Sequence, residues 1–65
     1  MTVPPEEQRV AVDAMGGDHA PQAVVAGAIL AAQQHGIRSI LIGDEQQILA
    51  CLKDTDPQTR NLMEI

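Results

Sequence analysis

A chain of 65 residues with no aromatic side chain and one cysteine cannot enclose a large core, close an internal disulfide or assemble a Cys/His metal cluster. Its net charge of −5, nine acidic residues against four scattered basic ones, leaves no basic stripe for nucleic-acid phosphates and is repelled by an anionic membrane surface. The apolar content of 45% comes largely from alanine, valine, leucine and isoleucine, so the chain reads as a segment of a larger fold.

Residues 1–8 are polar, carry Pro4, Pro5, Glu6 and Glu7, and show no charged-then-apolar signal pattern. They are expected to be a flexible tail. A lone cysteine without a secretion signal fits the reducing cytoplasm. The longest apolar stretch, residues 23–32, is interrupted by Gly27 and is too short to span a bilayer.

Residues 9–14 form an apolar run between the tail and a glycine pair, and read as a buried strand. Residues 15–20 follow as a loop in which Gly16 and Gly17 supply backbone freedom. Pro21 suits the first position of a helix, and residues 21–35 continue with helical spacing. Val25, Ile29 and Ala32 share one face, with Val24, Ala28 and Ala31 beside them; that wide stripe suits a helix pressed on a sheet. Gly36 is the expected C-terminal cap, with His35 in the last turn. Gly27 implies a close approach of helix to strand, since glycine in a helix costs about 1 kcal/mol relative to alanine.

A second strand is expected over residues 39–43, rich in β-branched side chains. Asp44 then has N-cap character, with Gln47 at capping-box spacing, opening a helix to about Leu52 that buries Ile48, Leu49 and Leu52. Residues 53–60 read as a polar turn in which Pro57 forbids a continuing helix. Residues 62–65 resemble the start of a third strand. This strand–helix–strand–helix order specifies a parallel α/β sheet with right-handed crossovers. Such a sheet needs helices on both faces and neighbours at both edges, which must come from elsewhere.

The informative stretch is Asp13-Ala14-Met15-Gly16-Gly17-Asp18-His19-Ala20-Pro21, which follows a strand and opens a helix, the place where open α/β sheets bind ligands. Paired glycines can turn backbone N–H groups into a shared hollow, and a helix N-terminus adds partial positive charge; together they bind anions. A glycine pair also serves tight turns for steric reasons alone, so both readings stand for the pair taken by itself.

The full string, with Val25, Gly27 and Ala28 and the later Leu41-Ile42-Gly43-Asp44, resembles the beginning of the PlsX family of phosphate acyltransferases. The match covers roughly residues 10–44 and becomes loose from Glu45 onward. The resemblance implies an α/β/α sandwich similar to phosphate acetyltransferases and isopropylmalate dehydrogenases, with residues 9–65 as the incomplete N-terminal part of a single catalytic domain. It also implies a homodimer of phospholipid synthesis that works without a cofactor, some members associating peripherally with membranes. The implied reaction passes a long acyl chain from acyl carrier protein to inorganic phosphate, giving acyl phosphate. Phosphate is then the nucleophile, and no enzyme Ser or Cys is required.

On this reading Gly16 and Gly17, with neighbouring amides, contact the phosphate or acyl-phosphate group. Asp13 and Asp18 repel a phosphate, so neither is a simple ligand. Asp13 is counted with Gly16, Gly17 and His19 at the phosphate site, where holding the loop's shape is favoured over orienting a basic side chain or moving a proton from phosphate. Asp18 is left between that role and catalytic proton transfer from phosphate. His19 is a candidate phosphate donor when protonated, or simply a loop residue. Cys51 reads as a small half-buried filler rather than an acyl-accepting thiol, and Met15 as packing beneath the loop.

Two other readings remain open. A dinucleotide-binding oxidoreductase shares the strand–loop–helix plan and would use Asp44 on a ribose, but Gly16 and Gly17 do not supply G-x-G-x-x-G. A non-catalytic segment, inactive alone, is the second. The chain's acidity argues that acyl carrier protein, itself acidic, docks on a basic surface elsewhere.

Overall fold

A computed structural model describes residues 8–65, and all but the last residue of the expected tail lies outside them. The element order is β1 (Arg9–Asp13), α1 (Gln22–His35), β2 (Arg38–Ile42), α2 (Glu45–Leu52), α3 (Pro57–Arg60) and β3 (Met63–Glu64). The three strands form one parallel sheet in the order β1-β2-β3, with Arg9 opposite Arg38 and Ser39 opposite Met63. The α/β class with a parallel sheet is therefore as the alternation of elements specifies.

The ends of α1 follow from local chemistry. Pro21 occupies the N-cap rather than the first helical position: its carbonyl accepts from Val25 N–H at 2.9 Å, and its missing N–H is no loss there. Gly36 closes the helix at φ 63°, in the left-handed region open to glycine; its N–H donates to the Ala32 carbonyl at 3.0 Å and the Ile37 N–H to that of Ala31 at 3.4 Å. Asp44 caps α2 through its carboxylate, which accepts from Gln47 N–H at 3.1 Å.

Between α2 and β3 the sequence expectation of a plain turn is corrected. Asp56 caps the single-turn helix α3, accepting from Thr59 N–H at 3.0 Å and Thr59 hydroxyl at 2.8 Å. Pro57 opens this helix from its N-terminal turn instead of only ending the previous one. Arg60 then donates to the Met63 carbonyl at 2.7 Å and ties the turn to β3.

The core comprises Ala14, Val25, Ala32, Leu41, Ile48, Leu52 and Met63. Leu49, expected inside, is exposed, because Ile48 and Leu52 stand one turn apart on the inner face of α2 and Leu49 is rotated away from it. Cys51 is half-buried against this cluster.

β1 corrects a second expectation. It is the edge of the sheet, its burial pattern is almost wholly exposed, and Val10 is 53% accessible. Between this edge and α1 lies a shallow apolar hollow of 340 Å³, lined in part by Val10, Val12, Val24, Gly27 and Ser39. A Cβ on Gly27 would meet nothing within 4 Å, so the close approach expected there is not made among the described residues. Ser39 Oγ is buried beside the hollow with no hydrogen-bond partner among the described residues.

Candidate functional site

The loop after β1 lies at the C-terminal end of a parallel strand, directly before α1. Two bonds set its first half. Met15 N–H donates to Asp13 Oδ1 at 3.0 Å, and Gly16 N–H reaches the Asp13 carbonyl at 3.5 Å. This is an Asx-type turn, in which a short acidic side chain replaces the next strand residue as acceptor. Asp13 therefore shapes the loop, as the structural reading of that residue expected.

The two glycines act differently. A Cβ on Gly16 would lie 3.4 Å from Asp13 Oδ2, against the carboxylate that holds the turn. Gly17 has open space around it but sits at φ 93°, which an L side chain adopts only with strain.

Beyond Gly16 the loop's donors are free. The amides of Gly17, Asp18, His19 and Ala20 have no hydrogen-bond partner among the described residues. Helix α1 has no side-chain cap at Pro21 and no acidic residue in its first turn. Free amides and an uncapped helix start adjoin each other, and both favour negative charge nearby. Gly16, Gly17, Asp18 and His19 are all exposed; the His19 carbonyl accepts from Ala23 N–H at 3.0 Å, and the side chains of Asp18 and His19 have no bonded partner among the described residues. The structure thus places Asp13, Gly16, Gly17, Asp18 and His19 in one loop, with only Asp13 engaged through its side chain.

One contact was not legible in the sequence. Met15 lies against Gly43, the residue after β2, so that a Cβ on Gly43 would collide with the Met15 Cγ and come within 2.9 Å of its Sδ. This contact docks the glycine loop onto the neighbouring strand's end. A glycine directly after a strand, facing a long apolar side chain in the adjacent loop, is the signal that could have found it. Asp44, next in sequence, spends its carboxylate on the α2 cap.

Neither of two surface hollows adjoins this loop. The apolar one flanks α1, and a second, of 490 Å³, lies at the opposite end of the strands beside Arg9, His35 and Arg38. Walls around a ligand at the glycine loop therefore require surfaces beyond these residues. Among the described residues no three His, Cys, Asp or Glu side chains converge as metal ligands, and no helix is long and apolar enough to cross a membrane.

Fold and loop together define a parallel α/β protein with a glycine loop at the C-terminal end of a strand, free donors leading into a helix. Its sequence relatives narrow this class. The chain belongs to the family described as "Fatty acid synthesis protein", whose family model matches residues 8–65. It is similar to proteins named "Phosphate acyltransferase" from several bacteria. The one from Nostoc sp. (strain PCC 7120 / SAG 25.82 / UTEX 2576) is 54% identical over 44 residues, 68% of this chain and 13% of the relative. That from Herpetosiphon aurantiacus is 54% identical over 54 residues, 83% of this chain and 15% of the relative. That from Aquifex aeolicus is 44% identical over 57 residues, 88% of this chain and 17% of the relative. The chain thus spans 13–17% of the length of these relatives. No solved structure matches it.

Proposed function

We propose that the protein to which these residues contribute transfers a long acyl chain from the thioester of acyl carrier protein to inorganic phosphate. The product, acyl phosphate, feeds phosphatidic acid synthesis. A phosphate oxygen attacks the thioester carbonyl, a new C–O bond forms, the C–S bond breaks, and the carrier thiol leaves with a proton. The observation that carries this reading is the loop of residues 13–20, with its unpaired amides beside an uncapped helix start, in a chain of this family. Those donors bind phosphate without a basic side chain and hold it against the thioester.

In this proposal the amides of Gly16, Gly17 and their neighbours contact phosphate, with Gly16 rotating its N–H away from the long bond to Asp13. Asp13 holds the turn. Asp18, unpaired and solvent-facing, accepts the proton released by phosphate, and His19 donates to a phosphate oxygen when protonated. The protein acts as a cytoplasmic homodimer, with acyl carrier protein docking on a basic surface outside these acidic residues. The dinucleotide alternative is disfavoured because Asp44, its ribose ligand, is committed to the α2 cap.

Hydroxylamine trapping tests the proposal. The full-length protein, given acyl-carrier thioester and phosphate, is expected to yield acyl hydroxamate in proportion to phosphate, and residues 1–65 alone to yield none. A folded full-length protein that forms no hydroxamate refutes it.

A further inference from the structure

The glycine loop is fastened at its two ends. At its start Ala14, fully buried, donates its N–H to the Ile42 carbonyl at 2.9 Å and extends the β1–β2 ladder. At its close the His19 carbonyl accepts from Ala23 N–H at 3.0 Å, and buried Pro21 leads into α1. Residues 15–19 between them are exposed, and Met15 is the one with a large apolar side chain.

That side chain reaches across to other elements. A Cβ built on Gly43 would collide with Met15 Cγ and lie 2.9 Å from its Sδ and 3.5 Å from Ile48 Cδ1. The thioether therefore fills the notch that a side chain at position 43 would occupy, beside the tip of the fully buried Ile48. Gly43 directly precedes Asp44, whose carboxylate caps α2. One side chain thus seats the loop on the end of β2 and on the first turns of α2 together.

The amides assigned to phosphate begin at the residue after Met15, and those of residues 17–20 have no partner among the described residues. Free amides do not hold one another in place, and a backbone with two adjacent glycines has many conformations open to it. Binding an anion through backbone N–H groups requires them to converge before the ligand arrives. The Asp13 turn and the Met15 seat together set the position and the direction in which the chain enters Gly16.

We propose that Met15 is a positioning residue of the phosphate loop: seated on Gly43 against Ile48, its side chain holds the amides of residues 16–20 in the arrangement that receives phosphate. An unbranched thioether with three rotatable bonds suits such a notch, and only glycine at position 43 leaves the notch open. Met15 touches no reacting atom and acts through the backbone that follows it. The inference rests on the phosphate-binding part of the function proposed above and not on the acyl donor.

Calorimetric titration of the full-length protein with inorganic phosphate tests it, with amide exchange at residues 16–20 followed with and without phosphate. Met15 is 38% exposed, so Met15→Ala should still fold, and its Kd for phosphate should rise on the order of tenfold. Met15→Leu, close in volume, should stay within about threefold of wild type. Gly43→Ala closes the notch and should raise Kd comparably; Met15→Ala added to it should raise Kd little further, because both remove one seat. Leu52→Val trims the core at the other end of α2 and should leave Kd unchanged. In wild type, phosphate should slow exchange at residues 16–20.

A Kd indifferent to Met15→Ala, additive penalties for positions 15 and 43, or an equal loss in Leu52→Val overturns the proposal. Met15→Leu binding as weakly as Met15→Ala, or no phosphate-dependent slowing at residues 16–20, overturns it too. Hydroxamate formation separates this inference from the reaction. A wild type that binds phosphate with the expected dependence on Met15 but forms no hydroxamate loses the acyltransfer reading alone. Hydroxamate formation with a Kd indifferent to position 15 overturns the role of Met15 alone.

Discussion

Replacing Gly17 by L-alanine isolates the backbone geometry of the loop. A Cβ there meets nothing within 4 Å, so the cost comes from φ 93° alone. Forcing an L-residue into the positive-φ region costs about 1–2 kcal/mol. If the loop relaxes to avoid that cost, the amides of residues 17–20 move, and a loss of about 1.4 kcal/mol in phosphate binding is a tenfold rise in KM. D-alanine has the mirror preference and is expected to adopt this φ without that strain. The comparison is made by semisynthesis in the full-length protein, reading urea denaturation and the phosphate dependence of acyl hydroxamate formation. L-alanine should lower stability, raise KM for phosphate, or divide the penalty between them, with D-alanine close to glycine in both. Equal behaviour of the two enantiomers, or no effect of L-alanine on either readout, refutes the argument.

Gly43→Ala drives a methyl group into Met15 and should destabilise by about 1–3 kcal/mol, the range for overpacking. Met15→Ala in the same chain should recover part of that loss, and additive penalties in a denaturation double-mutant cycle contradict the contact. Ser39→Ala removes a buried hydroxyl with no partner and should leave stability unchanged or raise it by up to about 1 kcal/mol; a clear loss in thermal unfolding means the hydroxyl is bonded in the full-length protein. The bonds from Thr59 N–H and hydroxyl hold the Asp56 carboxyl below its ordinary value of 3.8. A depressed carboxyl stabilises the fold above its unfolded value and ceases to do so as pH falls through its folded value. The stability advantage of wild type over Asp56→Ala should therefore be full near neutrality and shrink below pH 3.8; a difference that does not change on acidification argues against the cap.

Local chemistry made the glycine loop and most element ends readable from the sequence. Asp44 with Gln47 three positions on, and Gly36 after the helical spacing of residues 22–35, each name a backbone conformation that few other residues support. The α3 turn is equally local, since Asp56, Pro57 and Thr59 spell an N-cap, a first position and a capped donor, although a proline after a helix signals a stop as readily as a start. Asp13 could be named as a loop former because an Asx turn spans two residues.

The remaining features depend on which strand lies beside which, and sequence periodicity does not carry that. An apolar run such as residues 10–12 reads the same at the centre of a sheet and at its edge; only the order β1-β2-β3 exposes Val10 and leaves the Ala11–Ile40–Ile42 face bare. The meeting of Met15 with Gly43, 28 positions apart, and the unpaired hydroxyl of Ser39 arise when α1 carries the chain back to lay β2 against β1. The sequence by itself determined the alternation of strands and helices and the glycine loop, because each rests on short-range geometry, and its motif string carried the resemblance to the family. Tertiary structure decided which faces are covered, which amides stay free and which edge is open, because burial and pairing are properties of neighbours distant in the chain.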